Sequence, residues 1–195
     1  MNSALRHLPN ALSLARIFAA PVLITLALLH REQVFAILLI AALITDVLDG
    51  WIARRFQLQS PFGAMLDSAG DISTLIAAAV GIATFHPQVW RQHSVAMSLV
   101  LGGWLIVCVG ALVRYRRLSS FHTYASKAAG YALGFFVAAL FAFDFVPWLF
   151  YVAAALSLLS TVEELLLIWK LPLWRADVRG LWWVLHEPSS DFQLR

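Results

Sequence analysis

Apolar residues run along this chain in long blocks, each close to the roughly 20 positions that a helix needs to cross a hydrocarbon core. Six blocks predict membrane-spanning helices near Leu12–Leu29, Val34–Arg54, Phe62–Phe85, Ser94–Val113, Ser126–Phe143 and Pro147–Trp169. Polar punctuation separates them at His30–Gln33, Gln57–Pro61, His86–His93, Arg114–Thr123 and Asp144–Pro147. No long linker or low-complexity run interrupts the series. The expected fold is therefore all-α, a polytopic membrane bundle of six transmembrane helices over residues 1–170 with a cytoplasmic tail over 171–195. Within that frame Met1–Pro9 either lies along the membrane interface or frays, and the tail, with Trp174, Trp182 and Trp183 among Arg175 and Arg179, has the pattern of an interfacial anchor.

Composition supports the membrane reading: 61% of residues are hydrophobic, only 13% are charged, and the mean hydropathy is +0.78. Threading six spans back and forth sorts the basic residues sharply. Arg6, Arg16, Arg54, Arg55, Arg114, Arg116, Arg117, Lys127, Lys170, Arg175, Arg179 and Arg195 fall on one side, and only Arg31 and Arg91 on the other. Positive residues stay inside, so both termini are expected in the cytoplasm. The same asymmetry accounts for a pI near 9.4 without any nucleic-acid partner. Arg6 followed by an apolar run imitates a signal peptide. The length of that run, Arg16 within it and the five spans that follow predict an uncleaved first helix instead. Cys108 is the single cysteine, so an intrachain disulfide is excluded, and its place in the run Met97–Val113 predicts a buried, inert thiol.

Against this background four acids stand out. Asp46 and Asp49 lie in the second span, and Asp67 and Asp71 in the third. A charged carboxylate at the bilayer centre costs roughly 2.5 to 3.5 kcal/mol on insertion scales, so four require compensation. Spacings of three and four put each pair on one face of its helix. The pairs mirror each other about residue 58, so an antiparallel hairpin sets Asp49 level with Asp67 and Asp46 level with Asp71. Four carboxylates then share a cytoplasm-facing pocket about two to three turns below the loop, at about 5.4 Å per turn. Hard oxygen donors without cysteine or histidine suit Mg²⁺ or Mn²⁺. The ordinary alternative is a set of helix-end carboxylates paired with Arg54, Arg55 and Lys127. Gly50, Ala53, Gly63, Ala64 and Gly70 share these faces, either for close helix packing or to lay bare backbone against a planar or phosphorylated group.

Taken as one string, Asp46, Asp49, Gly50, Ala53, Arg54, Gly63, Asp67 and Asp71 resemble the signature of the class I CDP-alcohol phosphatidyltransferase family, with every fixed position filled over 26 residues. Pro9-Asn10, Leu12, Ser13, Arg16 and Pro21 resemble that family's opening. In general character the chain is similar to bacterial phosphatidylglycerophosphate synthase-like members. The resemblance implies a membrane enzyme of phospholipid biosynthesis that moves a substituted phosphate from a CDP-alcohol such as CDP-diacylglycerol to an alcohol, releasing CMP. It implies two Mg²⁺ or Mn²⁺ ions on Asp46, Asp49, Asp67 and Asp71, with Asp71 also the general base. Gly50, Ala53, Arg54 and Gly63 would line the nucleotide site. A homodimer in the bacterial inner membrane, with its active site on the cytoplasmic side, is further implied, and Gly102-Gly103 offers small residues for contact between copies.

The acceptor is less legible. Arg114 and Lys127 are candidates for binding a phosphorylated alcohol such as glycerol 3-phosphate, while Arg116 and Arg117 are equally well explained by topology. The related synthases carry a Gly-Lys-x-Lys-Thr segment at span five. Thr123–Gly130 keeps one lysine of it, which leaves inositol phosphate, serine and amino alcohols open beside glycerol 3-phosphate. An intramembrane divalent-cation transporter and a noncatalytic family member are the alternatives to an enzyme. Glu163 and Glu164 are expected to pair with Arg16, to meet an acceptor's amine, or to sit at the interface. His7, His30, His86, His93, His122 and His186 have no ligand spacing and are expected to be solvated.

Overall fold

The computed structural model describes residues 3–56, 58, 60–116, 123–173 and 178–186, with the side chains of residues 3–7, 54 and 61 outside that description. It is helical with no strand among the described residues. Eight helices follow in order: α1 (Ser3–Leu28), α2 (Glu32–Arg55), α3 (Pro61–Phe85), α4 (Pro87–Gln92), α5 (Ser94–Tyr115), α6 (Tyr124–Ala142), α7 (Pro147–Lys170) and α8 (Leu181–His186). Six of them are long and apolar enough to cross a membrane, namely α1, α2, α3, α5, α6 and α7. The protein is an integral membrane protein of six apolar helices. In lipid the helix satisfies every interior backbone group within one segment, so such sequences have no other economical conformation.

Helix boundaries follow local chemistry. Ser60 caps α3, its Oγ accepting the Gly63 N–H at 3.0 Å, and Pro61 occupies the first turn, where its missing N–H costs nothing. Pro87 and Pro147 open α4 and α7 in the same way. α1 ends where His30 turns into the left-handed region at φ 52°, its N–H reaching the Ala27 carbonyl and that of Arg31 the Leu26 carbonyl. Residues 3–9 are helical rather than frayed and run on into the first span as one helix through Pro9 and Pro21. The short helix α4 was not expected in the polar separator. Val89, 2% exposed, buries its inner face.

The chain forms two compact units, Met1–Ser94 with Gly134–Val146, and Val95–Leu133 with Pro147–Arg195. In the first, α1 packs along both α2 and α3, more extensively than those two pack on each other. Leu23 and Ala27 of α1, Leu39 of α2 and Ala77 of α3 are buried. Toward the α1–α2 turn, Phe35 is fully buried against Phe85 and Phe141, with ring centroids 5.3 and 5.1 Å away. Gly81 makes room for that ring, because a Cβ there would overlap Phe35 Cζ and Cε1. His86, expected in solvent, is instead buried against Phe141, with Nε2 3.6 Å from Glu32 Oε1.

In the second unit Val107 and Ala111 of α5, Leu167 and Ile168 of α7, Leu171, Val178, and Val184 of α8 form one apolar cluster. Residues 178–186 thus lie against the helix that precedes them. Glu163 Oε1 accepts the Leu181 N–H at 2.9 Å, about two turns before the end of α7. Gly180, at φ +158°, fits beside that carboxylate, where a Cβ would lie 2.9 Å from Oε1. Gly103, expected to be available to a second copy, is met within the chain by Thr161, whose Cγ2 would stand 3.0 Å from a Cβ; Gly102 has nothing within 4 Å. Cys108 is half-buried rather than buried. Many large apolar side chains elsewhere, among them Phe18, Ile37, Val113 and Trp169, point outward, as a lipid-facing surface requires.

Candidate metal and nucleotide site

The site lies within the first unit, and three helices build it. α2 supplies Asp46 and Asp49, α3 supplies Asp67 and Asp71, and α1 inserts Arg16 among them. The guanidinium is 2% exposed. Its Nη2 donates to Asp49 Oδ2 at 2.8 Å and to Asp67 Oδ1 at 2.7 Å. Its Nη1 donates to Asp71 Oδ1 at 2.7 Å and to Asp46 Oδ1. Each terminal nitrogen therefore joins one acid of α2 to one of α3, and the partners are those that the mirror spacing sets level. α1 packs on both helices of the hairpin more extensively than they pack on each other, which the spacing alone did not reveal.

The four carboxylates differ in access. Asp49 is buried at 3% exposure and shares the Ser13 hydroxyl, which lies 3.1 Å from Asp49 Oδ2 and 3.2 Å from the Pro9 carbonyl. Asp46, Asp67 and Asp71 are 40, 30 and 49% exposed, so one side of the cluster is open. Oxygens of Asp46, Asp49 and Asp67 lie within 4.8 Å of one another. One guanidinium against four ionised carboxylates leaves a net charge of −3. Arg16 engages one oxygen of each carboxylate. The hard donor set, its open side and its residual charge therefore fit divalent cations, whose first choice is carboxylate oxygen together with phosphate.

The small residues have structural partners of their own. A Cβ at Gly63 would lie 2.9 Å from Asn10 Oδ1, and one at Gly70 3.3 Å from Arg16 Cζ, so both glycines admit α1 to the face of α3. Gly50 and Ala53 are half-buried on α2, and the Arg54 side chain lies outside the described residues. Among the described residues the acids pair with Arg16. Arg55 is exposed at the end of α2.

The acceptor candidates belong to the second unit. Arg114 donates through Nε and Nη2 to the Leu171 carbonyl at 3.3 and 3.2 Å, where Tyr115 Oη also donates at 2.8 Å. Both side chains thus close the C-terminal end of α7, a position that favours cations and hydrogen-bond donors. Lys127 opens α6 over the Tyr124 ring, with Nζ 6.0 Å from its centroid. Glu163 takes the Leu181 N–H, and Glu164 Oε1 accepts from Ser160 Oγ at 3.2 Å. Arg117, His122, Trp174 and Arg175 lie outside the described residues.

Residues 6–170 match the model of the CDP-alcohol phosphatidyltransferase family. The chain belongs to this family. Relatives include the CDP-diacylglycerol–glycerol-3-phosphate 3-phosphatidyltransferase of Rickettsia typhi, 40% identical over 70 residues, which are 34% of this chain and 39% of the relative. The Pseudomonas fluorescens protein of the same name is 30% identical over 108 residues, 52% of each chain. A CMP-forming cardiolipin synthase of Oryza sativa is 39% identical over 82 residues, 40% of this chain and 24% of the relative. The chain thus spans between about a quarter and about half of the length of these relatives. No solved structure matches it.

Arg16 is the site residue that spacing did not single out as a partner of the acids. Its signal was present all the same: an arginine in the middle of an apolar span is as improbable as an aspartate there, and the two improbabilities cancel only if they meet.

Proposed function

We propose that this member of the CDP-alcohol phosphatidyltransferase family transfers the phosphatidyl group of CDP-diacylglycerol to a small alcohol, with glycerol 3-phosphate the first acceptor to test, and releases CMP. The observation that carries the proposal is the convergence of four carboxylates from two helices on a single guanidinium, with three of the four open on one side. A second support is the name of the Rickettsia typhi and Pseudomonas fluorescens relatives, which specifies both substrates.

In this reading Asp46, Asp49, Asp67 and Asp71 hold two divalent cations, Mg²⁺ or Mn²⁺. Bound there, the ions supply charge neutralisation of the pyrophosphate and of the departing CMP. Asp49, buried and tied to Ser13 and Arg16, fixes the inner edge of the site. Asp71, the most exposed of the four, takes the acceptor's hydroxyl proton in this reading as that oxygen attacks phosphorus. Gly50, Ala53, Arg54 and Gly63 form the face on which the cytidine nucleotide rests, and Arg114 and Lys127 are the acceptor-side cations. The 1–170 segment is the catalytic membrane domain and 171–195 its interfacial tail. Both termini and the acid-bearing helix ends face the cytoplasm of a bacterial inner membrane, consistent with the basic residues on that side, and the enzyme acts as a homodimer.

The test is CMP release by purified protein from CDP-diacylglycerol, with and without chelator, against glycerol 3-phosphate, inositol phosphate, serine and ethanolamine in parallel. Metal-dependent CMP release that is fastest with glycerol 3-phosphate is expected. Release with another acceptor alone overturns the acceptor assignment, and release unaffected by chelation overturns the metal assignment.

A further inference from the structure

Arg16 uses its donors unevenly. The two terminal nitrogens serve four carboxylates, whereas Nε is buried with no hydrogen-bond partner among the described residues. A guanidinium built to stay in one place normally has its fork satisfied, because an orphaned buried N–H is costly. Here the Nε–H is left over, and Gly70 lies against the same edge, where a Cβ would stand 3.3 Å from Cζ and 3.5 Å from Nε. The side chain is thus accommodated by the absence of a neighbour as well as by the presence of partners.

The charge count points the same way. One positive charge holds four acids from two helices, which pack less on each other than on α1. Without Arg16 the carboxylates would face one another across the seam with no described cation between them. With it they keep a residual charge that still attracts cations.

We infer that Arg16 is a resident counter-cation: it clamps the two aspartate pairs together in the metal-free protein and gives up part of its contacts when divalent metal enters. It is a positioning residue that competes with metal for the same oxygens, and its side chain, once displaced, is free to turn toward a phosphate. The inference rests on the metal assignment made above. Its consequence is that removing the arginine strengthens metal binding while destabilising the protein when no metal is bound.

The experiment uses the full chain purified in detergent and compares wild type with Arg16→Gln. Mn²⁺ binding is read from the loss of the free-ion EPR signal, and thermal unfolding is followed in EDTA and in saturating Mn²⁺. A unit charge about 5 Å from a divalent ion is worth enough, even at an effective dielectric constant of 20 to 80, to predict Mn²⁺ binding about tenfold tighter or more in the variant. Its melting temperature falls by several degrees in EDTA, and the deficit shrinks in Mn²⁺. A variant that binds Mn²⁺ no tighter, or loses the same number of degrees in both conditions, overturns the inference. If Arg16→Gln does not fold, Arg16→Lys decides by the same measurements, because an ammonium keeps the charge but cannot span four carboxylates. Tighter Mn²⁺ binding by that variant supports the inference, and equal or weaker binding overturns it. A wild type that binds no Mn²⁺ overturns the metal assignment and this inference together, an outcome distinct from a wild type that binds and a variant that gains nothing.

Discussion

Asp46, Asp49, Asp67 and Asp71 in the first unit, and Glu163 and Glu164 in the second, all place carboxylates inside apolar helices. The aspartates are gathered from two helices by a guanidinium 30 to 55 residues away in sequence. Glu164 instead takes the Ser160 hydroxyl one turn earlier on its own helix, and Glu163 takes the backbone N–H of Leu181. Three of the four aspartates are 30 to 49% exposed, whereas Glu164 is 6% exposed. Neither glutamate pairs with a cation among the described residues. Glu164, met on its own helix and sealed from its surroundings, serves the fold, and the Glu163 contact fastens residues 178–186 to α7. Acids drawn together from afar and left open on one side are the ones to which the proposed function assigns a ligand. An intramembrane carboxylate is a functional lead by default, and the contrast shows that its partners decide which lead to follow.

The largest effect expected from breaking this contrast is at Asp71. Asp71→Asn should lower CMP release by about 10²- to 10⁴-fold, the usual contribution of a general base, with the protein still folded by circular dichroism. Full turnover in that variant, measured with a working acceptor, removes Asp71 from the role of base. Next comes the far end of the same unit. Gly81→Ala drives a methyl group into the Phe35 ring and should destabilise the protein by about 1 to 3 kcal/mol in chemical unfolding, with CMP release per folded molecule kept. Loss of turnover without loss of stability would show that the aromatic cluster and the acids do not act separately.

Gly70→Ala is a finer probe, since its Cβ would stand 3.3 Å from the Arg16 guanidinium carbon. That distance calls for a shift of a few tenths of an ångström, and a several-fold change in Mn²⁺ affinity is expected with less than about 1 kcal/mol lost in stability. An unchanged affinity would mean that α1 adjusts without moving the arginine. The smallest effect belongs to Glu164. Glu164→Gln keeps an acceptor for Ser160, so stability should change by about 1 kcal/mol or less and CMP release should not change. A variant without activity would break the comparison, because it would give the sealed glutamate a part in the reaction.

Much of this architecture was legible before any coordinates. The six apolar blocks match the six long helices within a few residues at most ends. The level pairing of Asp49 with Asp67 and Asp46 with Asp71 also followed from spacing, because a helix places positions three or four apart on one face. Other features were hidden. His86 looked solvated in a polar separator but is buried by Phe141, a residue more than 50 positions away. Arg114 carried the composition of a phosphate ligand, and its contact with the Leu171 carbonyl at the end of α7 was not visible in the sequence. Residues after α7 read as a tail, yet Val178 and Val184 are packed into the cluster with Leu167 and Ala111.

By itself the sequence determined the membrane-spanning helices, the faces on which the acids project and the family to which the chain belongs. Those depend on local periodicity, on lipid as the solvent and on a spaced set of residues within one short stretch. Only the tertiary structure decided which cation the acids meet. Arg16 reaches them because α1 packs on both α2 and α3, with Gly63 and Gly70 removing the side chains that would hold it off. A guanidinium can neutralise a buried carboxylate only at contact distance, and contact between residues so far apart in the chain is a property of packing, not of any segment's own pattern.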